Sequence, residues 1–146
     1  MKKFAKILAP TDLSEISRLG LNYAFDLARG WGSELTVYHV TDATELASYK
    51  AASLQDLIGK REKALSQHLT EHFSELLPLV ELRIKVDVGS AADSILREAE
   101  RSGSDLIVMS THGRTGLAHI LVGSVTEYVV RNANCPVFAV HPPREK

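Results

Sequence analysis

Apolar residues gather in five short runs: residues 4–10 (FAKILAP), 34–40 (ELTVYHV), 80–88 (VELRIKVDV), 105–111 (DLIVMST) and 136–142 (PVFAVHP). Each has strand length and each is separated from the next by a segment with helical spacing. Ile16, Leu19, Tyr23 and Leu27 repeat every three or four residues after Ser14, an N-cap residue type, and Gly30 and Gly32 supply the stop. Leu54, Leu57, Ile58, Leu65, Leu69, Phe73 and Leu76 mark a longer second helix ended by Pro78. Ser90-Ala-Ala-Asp93 reads as the capping-box opening of a third helix, with Ile95, Leu96 and Ala99 facing inward and Gly103 next to its C-cap. Ser124-x-x-Glu127 reads as a second such box, opening a fourth helix that carries Val125, Val129 and Val130. Residues 41–53 have weak periodicity and are small and polar, and are read as a mobile loop, with partial helix as the alternative.

Strands alternating with helices need right-handed crossovers and a parallel sheet. The expected fold is α/β, a doubly wound five-stranded parallel sheet in the order 3-2-1-4-5 with helices on both faces, forming one domain over residues 1–146. The fourth run is almost continuously apolar, as a strand covered on both faces must be, whereas Leu82, Ile84, Val86 and Val88 alternate with Arg83, Lys85 and Asp87. The third strand therefore belongs near an edge. Sheets of this kind bind ligands beyond the carboxyl ends of their strands, where the strand order reverses. With strands one and four as central neighbours, that crevice lies between Pro10-Thr11-Asp12 and residues 110–116.

Composition narrows the partners. Of 146 residues, 45% are hydrophobic and 24% charged, enough for one core and too little for two. Seventeen Lys and Arg against 18 Asp and Glu give a net charge of -1, and the basic residues are scattered, so there is no electrostatic footprint for nucleic acid. The opening MKKFAKILAPTD lacks a signal peptide's apolar region, and no segment reaches the ~18 apolar residues of a membrane span. The expected location is the cytoplasm. Cys135, between Asn134 and Pro136, has no sequence neighbour that would activate it and reads as a small core residue.

The stretch STHGRTGLAHILVGSVTE, residues 110–127, places Gly113, Gly116 and Gly123 beside small hydroxyl residues, yet holds no lysine of the Walker type. Phosphate can do without one: a helix N-terminus carries unpaired N–H groups and partial positive charge, here on Ser124, Val125 and Thr126. Gly123 lets an anion approach the backbone. The Ser124 hydroxyl can accept a capping N–H while donating to a phosphate oxygen. Arg114 offers a fork of donors in the same loop, beside His112. Across the crevice Asp12, just past a parallel strand, can accept from ribose hydroxyls or cap the first helix.

These residues resemble the universal stress protein family, whose ATP-binding members carry G-x2-G-x9-G-S/T after the fourth strand. Ser110-x2-Gly113-x9-Gly123-Ser124 matches all but the first glycine. The likeness runs the length of the chain, through ILAPTDLSE, VYHV, DLIVMSTHGRTG and CPVFAV. It implies that Asp12 meets the ribose, that main chain at Val40 reads the adenine, and that Gly113, Gly123 and Ser124 serve the phosphates. Ser110 is the departure, because its Cβ and hydroxyl take up space that glycine leaves open.

The leading expectation is thus a stress-response binding module. ATP or another adenine nucleotide, with or without Mg2+, occupies the crevice and orders residues 111–123, changing the surface shown to a protein partner. The alternative is a nucleotide-free dimeric stress or scaffold protein of the same family, which Ser110 permits; a slow ATP hydrolase comes third. Phosphoryl transfer needs charge neutralisation and a positioned nucleophile, so no catalytic residue is assigned. The apolar last strand, residues 136–142, would leave a sheet edge unpaired, and self-pairing into a homodimer removes it, as the resemblance also implies. A competing pattern, His68-Leu-Thr-Glu-His72, fits the H-x-x-E-H of inverted zinc peptidases. It offers no third ligand, and both histidines fall off the Leu65, Leu69, Phe73 stripe, so no metal site is assigned.

Overall fold

The computed structural model describes residues 3–112 and 122–143. Its elements follow the chain as β1 (Lys6–Pro10), α1 (Ser17–Trp31), β2 (Glu34–Thr41), α2 (Leu54–Phe73), β3 (Glu81–Val88), α3 (Ala91–Ser102), β4 (Leu106–Ser110), α4 (Ser124–Asn132) and β5 (Val137–Val140). All strand pairs are parallel and the order is β3-β2-β1-β4-β5, so β3 and β5 are the edges and the order reverses at β1. Successive side chains of a strand point to opposite faces, and that alternation divides the core in two. Ile7, Ala9, Val37 and Val108 pack under Leu21 and Phe25 of α1 and Leu65, Leu69 and Phe73 of α2. Leu8, Tyr38, Ile107 and Met109 pack against Ile95 and Ala99 of α3 and Val129 of α4. Phe25 and Phe73 stack at 5.0 Å between ring centroids.

The helix ends show where local signals yield to tertiary contacts. Ser14 does accept from the Ser17 N–H (3.1 Å), but it caps a preceding turn and α1 itself starts from Ile16 at N-cap. Gly30 stays helical, while Gly32, at φ 68°, ends α1 by returning its N–H to the Ala28 carbonyl. The 41–53 loop contains a short 3-10 turn, Ala43–Leu46, and Ser53 then caps α2 by accepting from Asp56 N–H. Neither capping box forms. Ser90 sits at the N-cap of α3 without a side-chain bond, and Gly103 closes that helix at φ 69°. In α4 the N-cap is Gly123, because its N–H is drawn 2.5 Å onto the Thr111 carbonyl; Ser124 falls inside the first turn and Glu127 pairs with Arg131 instead.

One packing contact constrains the approach to the crevice. Gly20 of α1 runs against the end of β4, where an added Cβ would lie 2.8 Å from Ser110 N and 3.0 Å from the Met109 carbonyl carbon. Both are backbone atoms, which cannot rotate away. Gly20→Ala should gain about 1 kcal/mol of helix propensity and lose more than that, about 2–3 kcal/mol, to overpacking. A lower urea midpoint with an unchanged m-value is the expected result; a raised midpoint would show that α1 can shift freely on β4.

Candidate functional site

At the carboxyl ends of the strands lies a cavity of about 310 Å3, between the loop after β1 and the start of α4. Pro10, Thr11 and Asp12 form one wall, Val40 the floor beside it, and Ser110, His112, Gly123, Ser124, Val125 and Thr126 the other wall. All of these were expected from the sequence. Gly113, Arg114 and Gly116 lie outside the described residues. Thr111, inside the 110–116 stretch expected to border the crevice, lines it too, and Ser17, Tyr38, Ala91, Ile95 and Met109 also line the cavity and were not foreseen. Their signal was available for Tyr38, Ile95 and Met109, since an inward apolar residue near a strand's carboxyl end or a helix start must border whatever opens there.

The β1 wall is held by short local bonds. Ser17 donates its hydroxyl to the Ser14 carbonyl at 2.7 Å, so the 2.9 Å contact between the Thr11 and Ser17 hydroxyls has Thr11 as donor. Thr11 Oγ1 in turn accepts from Leu13 N–H (3.1 Å), and Asp12 Oδ1 accepts from Ser14 N–H (3.0 Å) in an Asx turn. Asp12 therefore shapes its own loop rather than capping α1. Leu13 is left in the left-handed region at φ 66°, a cost of roughly 1–2 kcal/mol for a branched residue. Strain of this kind next to a cavity is a mark of a functional loop.

The opposite wall is stitched to β4. Thr126 Oγ1 donates to the Ser110 carbonyl at 2.8 Å, and the Gly123 N–H takes the Thr111 carbonyl. A Cβ on Gly123 would stand 2.9 Å from that carbonyl oxygen, so glycine here admits a backbone atom as well as any ligand. Ser110 borders the cavity, but its hydroxyl is committed to α1: it donates to the Ile16 carbonyl (2.9 Å) and accepts from Gly20 N–H (3.0 Å). Those two groups are the pair that closes the first α-helical turn, so Ser110 inserts itself into the helix start. The hydroxyl expected to obstruct the crevice is a structural tie.

Chemically the cavity is bipolar. A carboxylate stands on one wall, and on the other a helix N-terminus whose N-cap residue, Gly123, has no side chain to cap it, with partial positive charge on its first amides. Between them Tyr38, Val40, Ile95 and Met109 offer an apolar slot. Tyr38 donates to Asp87 at 2.5 Å; burial first, then the Asp87 hydrogen bond and charge, push its phenol well above the ordinary value, so it stays neutral. An amphipathic ligand with a flat apolar part and an anionic end matches this arrangement.

The histidine pair of α2 is placed elsewhere. Leu65, Leu69 and Phe73 are buried and His72 is exposed, with the His68 and His72 rings 4.8 Å apart. Arg18 Nη1 lies 2.8 and 2.7 Å from the two ring nitrogens of His72, which sets a guanidinium against the imidazole of the pair. Among the described residues no cluster of three His, Cys, Asp or Glu side chains is arranged to hold a metal ion.

Comparison with known proteins follows the whole length of the chain. The sequence model of the universal stress protein family matches residues 3–141. Universal stress protein MJ0531 of Methanocaldococcus jannaschii is 32% identical over 145 residues, which cover 98% of this chain and 85% of that protein. The solved structure of MJ0577 from the same organism superposes with a TM-score of 0.81 at 29% identity, covering 99% of this chain and 100% of that one. A crystal structure of a universal stress protein in complex with cAMP superposes with a TM-score of 0.68 at 20% identity, covering 96% and 99% of the two chains. No helix among the described residues is long and apolar enough to cross a membrane.

His68 supplies a test of the α2 surface. Burial, then the neighbouring His72 and Arg18 charges, hold its pKa below the ordinary 6.5, while Glu71 and Asp12 pull the other way. The unfolded chain therefore binds more protons, and the stabilisation is complete above pH 6.5 and is lost as pH falls from there through the lowered folded value. His68→Gln should flatten the fall in urea stability on the acid side of neutrality. An unchanged slope would assign the acid sensitivity to other groups.

Proposed function

The chain belongs to the universal stress protein family, and on that premise we propose that it is an adenine-nucleotide-responsive regulatory module rather than an efficient enzyme. One observation carries the reading: Asp12 and the start of α4, whose N-cap residue is a glycine, both line an apolar cavity at the strand-order reversal. A ribose suits the carboxylate, a base the slot beside Val40, and phosphates the amides of Ser124 and Val125. ATP is the nucleotide we propose, its phosphates reaching the α4 amides from a ribose at Asp12, with Mg2+ as companion cation. The cAMP complex of a universal stress protein with the same fold supports an adenine nucleotide as the ligand class. Ser110, tied to α1, gives the nucleotide-free alternative no particular support.

Release of bound nucleotide by denaturing natively purified protein, read by mass spectrometry, tests the reading directly. Adenine nucleotide in the released fraction is expected. The phosphate end is tested by Ser124→Asp, because Ser124 is exposed in the first turn, where an aspartate favours the helix but opposes an anion. Its ATP affinity should fall at least ~30-fold, about 2 kcal/mol, with the melting temperature kept. Gly123 is a poor probe, since any side chain there meets the Thr111 carbonyl. Indifference of ATP binding to Ser124→Asp would put the phosphates elsewhere.

We also propose a homodimer through β5. Phe138 is 41% exposed on this edge strand and meets Tyr23 at 5.5 Å between ring centroids, with Val130 exposed nearby in the sequence of the adjoining helix. An apolar edge invites pairing with a second copy. Light scattering at tens of micromolar should return twice the chain mass, and the chain mass alone would count against the dimer.

A further inference from the structure

Two buried polar side chains stand behind the β1–β2 edge of the cavity. His39 on β2 is 1% exposed and Arg61 on α2 is 3% exposed. Arg61 Nε and Nη2 lie 3.1 and 2.6 Å from His39 Nε2. A guanidinium only donates, so Nε2 accepts, and the proton of the neutral imidazole is on Nδ1. Nδ1 lies 2.8 Å from the Thr11 carbonyl, which only accepts, so the direction of the whole relay is settled by chemistry. On its far side Arg61 hydrogen-bonds the Tyr49 hydroxyl and lies over the Tyr49 ring, 4.8 Å from its centroid.

The carbonyl that His39 holds has a particular place in the sheet. Glu34 N–H bonds the Ala5 carbonyl (2.9 Å), and Thr11 N–H bonds the Tyr38 carbonyl (2.8 Å). Even-numbered residues of β2 therefore bond toward β1, while Gly89 N–H on the Thr41 carbonyl (2.9 Å) shows odd-numbered ones bonding toward β3. By that alternation both the N–H and the C=O of Val40 face β1, and the acceptor next in line for Val40 N–H is the Thr11 carbonyl. The paired register with β1 ends two residues earlier, at Pro10 and Tyr38.

We propose that His39 and Arg61 are positioning residues that hold the Thr11 carbonyl away from the ladder, so that the main chain of Val40 is left to read a base. This deepens, and rests on, the adenine-nucleotide reading of the cavity. A strand edge offering N–H and C=O matches adenine, whose N1 accepts and whose 6-amino group donates. Guanine presents the opposite pattern on the same edge. A site whose buried polar groups are left unpaired by the wrong base discriminates against it. The relay thus acts as the specificity device, at one remove from the ligand.

The double variant His39→Leu/Arg61→Met tests this, because replacing both partners avoids leaving a buried unpaired charge that would unfold the protein for unrelated reasons. Two measurements decide. Calorimetric titration with ATP and with GTP should show a wild-type preference for ATP that drops about tenfold in the variant, whereas a merely structural loss would weaken both nucleotides equally. Hydrogen exchange of the Val40 amide without nucleotide should slow at least about tenfold in the variant, as the ladder closes onto Thr11. A retained ATP preference overturns the proposal, and so does equal exchange. Wild-type protein that binds neither nucleotide would instead remove the nucleotide function, and the exchange measurement would then decide the strand-opening role by itself.

Discussion

A parallel strand whose two neighbours are reached by crossovers on opposite faces must open at its carboxyl end, and β1 is that strand. It pairs with β2 through Pro10 on one side, and with β4 through Ile7 and Leu8 on the other. The helices that follow lie on different faces, α1 and α2 on one and α3 and α4 on the other. Nothing continues the ladder past Thr11, so the chain must satisfy its backbone by other means. The Asx turn at Asp12, the hydroxyl chain of Thr11, Ser17 and Ser14, and the positive φ of Leu13 are that means. The cavity is the space this departure leaves.

The same economy of small hydroxyls rules the other wall. Thr126 closes the Ser110 carbonyl, Ser110 closes the first turn of α1, and Gly20 makes room for it. Three elements that are distant in sequence are thereby tied within one hydrogen-bond length of the crevice. Such ties leave the α4 amides facing the cavity while the backbone behind them is satisfied. A buried polar network specifies a site only when every member has a partner, and these do.

Charge is handled separately from the cavity. Glu98 is buried, which by itself would raise its pKa, yet Arg101 and Lys85 bond it at 2.5 and 2.6 Å and hold it lowered and ionised. That cluster ties α3 to β3 and lines a second cavity together with Tyr38 and Asp87. The buried cation Arg61 has a neutral histidine as its acceptor. A guanidinium tolerates such a partner because its charge is delocalised and weakly hydrated.

Hydrophobic periodicity determined the five strands, the four helices and their order, because strand and helix periods differ and each apolar stripe must be buried. It also placed the crevice, since the carboxyl ends of β1 and β4 in a doubly wound sheet leave one place for it. Asp12 and the residues from Gly123 to Thr126 line the cavity for that reason, whereas Val40, which also lines it, was singled out only by what the family resemblance implies. The roles of Ser110, Gly123 and the α4 cap were not legible, because a hydroxyl or a missing Cβ is assigned by what lies within 3 Å, and sequence spacing does not report that distance. Arg61 left a trace that was readable in principle: it sits at the i+4 position between Leu57 and Leu65, a charge inside the buried stripe. Its partner could not be read. His39 lies 22 residues away, and only the packing of α2 on β2 decides that its ring meets Arg61 on one side and the Thr11 carbonyl on the other.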